Sequence, residues 1–270
     1  MSEYAVRELP DIQITGDTRG LHIDKVGVCD LRYPITVLDR ENKVQHTVAT
    51  LSLSVSLPHQ FKGTHMSRFI EVLNKHRGEI TMRTIPEILD EMRTRLKAES
   101  AQISVHFPYF IEKSAPVTGA TSLMDYDCSF TGESVNTSDD FVLGVDVPVK
   151  TLCPCSKEIS DYGAHNQRGL VRIEIRSMWN DFDTDVVWIE DLIQIAEESA
   201  SAPLYALLKR PDERHVTMQA YDNPGFVEDI VRNVAKRLDD DERIWRFKVH
   251  AINQESIHNH NAFAVIEGGM

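Results

Sequence analysis

The stretch Thr50-Leu51-Ser52-Leu53-Ser54-Val55-Ser56-Leu57 decides the fold. Leucine or valine at every second position, with serine or threonine between, is the period of a strand with one buried face. Upstream, Val26 to Leu38 reads as its partner strand, joined through the turn Asp39-Arg40-Glu41-Asn42. Downstream the period lengthens. Met66, Phe69, Ile70 and Leu73 recur at helical spacing up to Gly78. Ile85, Ile88, Leu89, Met92 and Leu96 form a second stripe, entered through Thr84 with Pro86 in the first turn. Gln102 to Phe107 and Thr121 to Phe130 read as strands again, giving the order β-β-α-α-β-β.

The rest of the chain repeats that order. Phe141, Leu143, Val145, Val147 and Val149 alternate along one strand, and Val171, Ile173 and Ile175 along the next. Ile189, Leu192, Ile193 and Ala196 make a helical stripe. A second stripe, Phe226 to Leu238, starts at Asn223-Pro224. Trp245, Phe247, Val249 and Ala251 alternate with polar residues, and Asn261 to Ile266 closes the chain. The expectation is an α+β protein of two tandem β-β-α-α-β-β halves, each an antiparallel sheet with helices on one face. The divisions are residues 1–20 as an arm, 21–135 as the first half and 136–270 as the second. Open edge strands in such units are removed by pairing with further copies, so a homo-oligomer is expected.

Composition narrows the class. The 270 residues are 41% hydrophobic and 26% charged, as in ordinary globular proteins. No apolar run is long enough for a membrane span, and the start has no apolar signal core, which predicts a cytoplasmic protein without a membrane partner. The net charge of −13 argues against nucleic acid as a partner and requires any phosphate site to be a compact cationic cluster. The four cysteines, Cys29, Cys128, Cys153 and Cys155, have no disulfide-framework spacing and read as free thiols.

The densest chemical signal is Thr151-Leu-Cys-Pro-Cys-Ser-Lys-Glu-Ile-Ser-Asp-Tyr-Gly-Ala-His-Asn-Gln-Arg-Gly169, a long connection between two strands. A thiolate from Cys153 or Cys155, an imidazole from His165 and one or two further ligands suit Zn²⁺ or a similar ion. Cys-Pro-Cys is too tight for both sulfurs to hold one ion, so one thiol ligates and the other reacts. Gln60 to Arg68 joins a strand to a helix and offers Lys62, His65 and Arg68 to an anion. Lys209-Arg210-Pro211-Asp212-Glu213 reads as a surface turn with two cations. In Asn223-Pro-Gly-Phe-Val-Glu-Asp229, Asn223 caps a helix, and Glu228 is suited to accept two N–H bonds from a guanine edge. Glu255-Ser-Ile-His258-Asn-His260 would place both rings on one strand face, a metal arrangement.

Together with Asp-Ile-Gln from Asp11 and Val-Gly-Val from Val26, these motifs resemble the prokaryotic type IB GTP cyclohydrolase I family over nearly the whole chain. The resemblance implies a tunnelling fold assembled into an oligomeric barrel, as a tetramer. It also implies conversion of GTP and water to 7,8-dihydroneopterin triphosphate and formate, for folate or modified-tRNA synthesis. Carried over, Cys153, His165, Glu213 and His258 look like the group around a divalent ion (Zn²⁺, Mn²⁺ or Fe²⁺), as ligands or as neighbours of ligands. Cys155 looks like the reactive thiol, with His165 as a proton relay when it does not bind the ion. Glu228 looks like the guanine anchor. Lys62, His65 and Arg68, with Lys209 and Arg210, are expected to hold the triphosphate. Two rival readings share the pattern: a sister enzyme such as a deazapurine nitrile reductase, using NADPH and no metal, and a purine-nucleotide sensor without turnover. No glycine-rich dinucleotide fingerprint is present.

Overall fold

The computed structural model describes residues 10–76, 80–81, 83–135, 138–177 and 186–269. Gly78, expected to end the first helix, lies outside them. In the first half β1 (Ile23–Asp39) and β2 (Lys43–Leu57) are followed by α1 (Met66–Lys75) and α2 (Ile85–Leu96), then β3 (Ser100–Ser114) and β4 (Thr121–Val135). In the second, β5 (Ser138–Leu152), α3 (Pro154–Ile159), β6 (Asn166–Ser177), α4 (Ile189–Ser199) and β7 (Ala202–Pro203) come first. They are followed by α5 (Arg210–Asp222), α6 (Val227–Asp239), β8 (Ile244–Asn253) and β9 (Ala262–Gly269).

All the strands form one antiparallel sheet in the order β1-β2-β3-β4-β5-β6-β8-β9, with β7 pairing β5. The two halves meet where β4 and β5 pair from Asp127/Asp146 to Val135/Ser138. The alternation read in the sequence is the burial pattern: Leu51, Leu53, Val55, Ile103, Val105, Val145, Val147 and Ile173 are buried in a single core. That core lies between one sheet face and the apolar stripes of α1, α2, α4 and α6. Gly27 sits between two register shifts of β1 against β2, and a Cβ there would meet the Leu53 carbonyl oxygen at 1.8 Å. Only glycine allows that approach.

Three expectations fail locally. Lys209–Glu213 is not a surface turn but the start of α5, and Asn223 ends α5 rather than capping α6. The Asn223 amide donates to the Gln219 carbonyl at 3.0 Å, while Asp229 accepts the Phe226 N–H at the real start of α6. The His258-x-His260 pair is not on a strand. It belongs to the connection between β8 and β9, because the β8–β9 ladder begins only at Asn253/Ala262.

The antiparallel order gives the sheet two distinct ends. β2 finishes at Leu57, beside the starts of β1 and β3 and level with the start of β5. β5 finishes at Leu152, beside the start of β6, and β6 in turn lies beside the end of β8. Every chemical motif therefore belongs to one end or the other.

Candidate functional site

The end of β5 is where the side chains converge. Cys153 takes the N-cap position of α3 with Pro154 behind it, and its Sγ accepts the Ser156 N–H at 3.4 Å. The Cys153 N–H donates to the His165 carbonyl at 3.1 Å, closing the connection into a loop whose two ends touch. The Ser156 hydroxyl accepts the His165 N–H at 3.1 Å and pins the loop from inside. Cys155 is exposed on α3, while Cys153 is partly buried.

His165 is oriented by the strand that follows it, β6. Its Nδ1 faces Gln167 Oε1 at 3.1 Å, and the Gln167 amide nitrogen donates to the Thr151 hydroxyl at 3.0 Å. In this orientation the Gln167 oxygen faces Nδ1 as an acceptor, an arrangement that suits an Nδ1–H tautomer with Nε2 turned to a ligand. Glu255 Oε2 lies 3.8 Å from the same Nδ1, buried and without a hydrogen-bond partner. The His258 ring stands edge-on to His165 at 6.3 Å and stacks on His260 at 5.2 Å.

Glu228 arrives from α6. The Gly225 N–H donates to the Leu152 carbonyl at 3.1 Å, so the turn before α6 is fastened beside Cys153, and exposed Glu228 stands in the first turn of that helix. α5 is fastened at its other end by the Lys157 ammonium, which donates to the Tyr221 carbonyl at 2.6 Å and lies 4.2 Å above the Tyr221 ring. Glu213 precedes Tyr221 by about two turns, roughly 12 Å along the axis, and is exposed. Exposed Lys209 and Arg210 begin the same helix.

The start of α5 is held by Asp212, which is fully buried. Its carboxylate accepts the Val117 N–H at 2.8 Å, the Thr118 N–H at 2.9 Å, the Thr118 hydroxyl at 2.6 Å and the Lys209 N–H at 2.9 Å. Burial pushes its carboxyl up, but the Thr118 hydroxyl and these N–H groups outweigh burial and hold it well below the usual carboxylate range.

The cluster Lys62, His65 and Arg68 lies at the other end of the sheet. The arm covers it: His65 Nε2 meets Asp11 at 2.9 Å, and the Lys62 and Gly63 N–H groups donate to Thr15 and Gln13. Arg68 donates to the Arg95 carbonyl at 3.0 Å. The length of β5 alone separates this cluster from Cys153 by roughly 45 Å. One copy of the chain therefore does not bring Lys62, His65 and Arg68 to the cysteines. Nor, among the described residues, do three or more His, Cys, Asp or Glu side chains stand close enough to hold an ion. What the fold does gather is a thiol and two imidazoles, the donor types a borderline divalent ion takes, next to a buried oxygen that lacks a donor.

Thr151, Gln167 and Glu255 were not singled out from the sequence. All three lie inside quoted motifs, and the signal for them is their place at or just beyond the strand ends that frame His165.

Comparison with known proteins places the chain in a family and a fold. Residues 9–264 match the family described as type I GTP cyclohydrolase folE2. The chain is 56% identical over 257 residues to GTP cyclohydrolase FolE2 of Syntrophotalea carbinolica, covering 95% of this chain and 94% of that protein. It is 55% identical to GTP cyclohydrolase FolE2 of Syntrophus aciditrophicus, covering 95% and 98%. Among solved structures it resembles urate oxidase of Bacillus sp. TB-90 with TM-score 0.53 and 10% identity, over 92% of this chain and 100% of that one. The uricase of Arthrobacter globiformis gives TM-score 0.50 at 9% identity, over 91% and 92%. The structural likeness shows a shared tunnelling fold only.

Proposed function

The chain belongs to the type I GTP cyclohydrolase FolE2 family, and from that premise we propose how its second half opens the guanine ring. It is a GTP cyclohydrolase of the folate pathway. In our reading, GTP and one net water become 7,8-dihydroneopterin triphosphate and formate. The observation that carries this reading is the convergence of Cys153, Cys155, His165, His258 and the Glu228 turn at one sheet end, fastened through Leu152 and His165.

Cys153, His165 and His258 would hold a divalent ion, Zn²⁺, Mn²⁺ or Fe²⁺, with Glu213 as the candidate fourth ligand. Bound there, the ion supplies Lewis acidity toward water. The chain's own groups do the rest. Glu228 accepts two N–H bonds from the guanine edge and orients carbon 8. The exposed Cys155 thiol moves a proton at the ring nitrogen that is released as the bond to carbon 8 breaks. The Gln167 carbonyl keeps the His165 proton on Nδ1, so Nε2 is left to bind or relay. Lys209 and Arg210 receive the triphosphate.

The cluster at the far end enters through assembly. β1 and β9 are open edges of the sheet, and β9 exposes Phe263 and Val265, as expected of a strand that pairs with another copy. We therefore read the enzyme as a cytoplasmic homo-oligomer, as a tetramer, whose barrel lets Lys62, His65 and Arg68 of one copy complete the site of another. Residues 1–20 are its arm, and residues 21–135 and 136–270 are the two halves of one catalytic unit.

Incubation with GTP, with formate and oxidised fluorescent pterin as readouts, tests the reading. Equimolar formate and pterin are expected, lost on chelation and restored by Zn²⁺, Mn²⁺ or Fe²⁺. GTP binding without formate, or full turnover by metal-stripped protein, contradicts it.

A further inference from the structure

α5 begins with Arg210 and Glu213, just after Lys209, yet little apolar surface holds it in place. It buries only Asp212, Val216 and Ala220. Val216 and Ala220 join Ala202 in a small cluster, with Tyr205 and Leu208 against it, apart from the main core. A helix of 13 residues is a rod of roughly 20 Å, and a rod is fixed only when both of its ends are. The Lys157–Tyr221 contacts fix the far end. The near end is fixed by the β3–β4 hairpin of the first half.

That hairpin pairs on to Ser114/Thr121, whereas β2 and β3 stop pairing at Thr50/His106. The end of β4 pairs with the start of β5, so the tip of the hairpin belongs to the cysteine end of the sheet. The Lys113 ammonium donates to the Leu204 carbonyl at 2.6 Å and lies 4.5 Å from the Tyr205 ring centre, which holds the segment leading into α5. The turn itself is closed by the Ala115 N–H on the Ala120 carbonyl at 2.9 Å and the Gly119 N–H on the Ala115 carbonyl at 3.0 Å. So shaped, it aims the successive N–H groups of Val117 and Thr118 at one oxygen of Asp212, an arrangement that holds an anion. The Thr118 hydroxyl takes the other oxygen, shared with the Lys209 N–H at the start of α5. Thr118 supplies two of these four bonds. It is itself exposed, so its hydroxyl can be removed without opening the core.

We infer that Thr118 is a positioning residue of the cyclohydrolase. Acting through Asp212, it sets the first turn of α5, and so the reach of Glu213 to the ion and of Lys209 and Arg210 to the triphosphate. The inference rests on the site as read under the proposed function. The test is Thr118→Val, which keeps the shape and the N–H and removes the hydroxyl, beside Thr118→Ser, which keeps the hydroxyl. Zn²⁺ affinity of the stripped full chain, by competition with a chelating dye, should fall about tenfold in Thr118→Val, as for other groups that orient a ligand. The KM for GTP should rise about tenfold with kcat at saturating metal and GTP unchanged, the pattern of lost binding rather than lost chemistry. Thr118→Ser should restore both.

A double-mutant cycle separates positioning from a general structural loss. In a Glu213→Gln background, Thr118→Val should weaken Zn²⁺ binding no further. Wild-type affinity and KM in Thr118→Val, an equal loss in Thr118→Ser, or a full additional loss in Glu213→Gln overturns the inference. Amide hydrogen exchange reads the helix without metal or GTP. A peptide spanning residues 209–217 should exchange faster in Thr118→Val while β5 is unchanged, and equal exchange also overturns it. Wild type that takes up no metal and releases no formate defeats the underlying reading instead, and exchange then still decides whether Thr118 sets α5.

Discussion

β1 and β2 are joined by residues 40–42, whereas their counterparts in the second half, β5 and β6, are joined by residues 153–165. The ladders on either side are alike, antiparallel and buried on one face, and each half adds two helices to the same core. The short connection is closed by Asp39, which accepts the Glu41 and Asn42 N–H groups and does nothing else that chemistry needs. The long one carries Cys153, Cys155 and His165 and is stitched by His165–Cys153 and His165–Ser156 bonds. The halves teach that the ladder supplies position and the connection supplies reactivity. The second half also interposes α5, tied by Asp212 to the β3–β4 turn.

Changes in the long connection should cost most. Cys153→Ala is expected to lower formate release on the order of 1000-fold while bound metal falls in parallel and the far-UV spectrum is unchanged. Near-normal turnover would erase the contrast between the connections. Glu228→Gln keeps the shape of the anchor but not its charge. A loss of roughly 10- to 100-fold in kcat/KM for GTP is expected, a charged hydrogen bond being worth about 1.5–3 kcal/mol. An unchanged kcat/KM would remove Glu228 from the site.

Gln167→Ala sharpens the role of the ladder itself, since Gln167 is a strand residue that acts through His165. Metal affinity of the stripped protein, measured by competition with a chelating dye, is expected to fall about 10- to 100-fold, as for other residues that orient a ligand. Equal affinity would mean that His165 needs no orienter. Asp212→Asn should change turnover least, and its cost is in stability, greatest at neutral pH where the carboxylate is charged. The Asp212 carboxyl is held below its unfolded value, so its stabilisation is fully present above about pH 4 and is lost as pH falls toward the folded value. The variant should therefore show a flatter decline of melting temperature between pH 5 and pH 3, scales read from those same reference values. An identical decline in both proteins would contradict that assignment.

The strands were legible because each writes its burial into alternation, as Leu51-Ser52-Leu53-Ser54 does. α5 was not, because it buries only Asp212, Val216 and Ala220, too few apolar residues to show a stripe. Asn223-Pro224 reads equally as the start of one helix or the end of another, and only the Asn223–Gln219 bond decides. Cys153, Cys155 and His165 stood out by residue type. Their distance from Lys62, His65 and Arg68 did not, because it follows from strand direction, which sequence motifs do not carry.

Two cysteines test the central claim most directly. Cys155 is exposed in the long connection, while Cys128 is buried in β4, where burial pushes its thiol well up. Formate released per GTP should vanish in metal-replete Cys155→Ala and persist in Cys128→Ser that retains its fold. Formate release by Cys155→Ala at the wild-type rate would contradict the account.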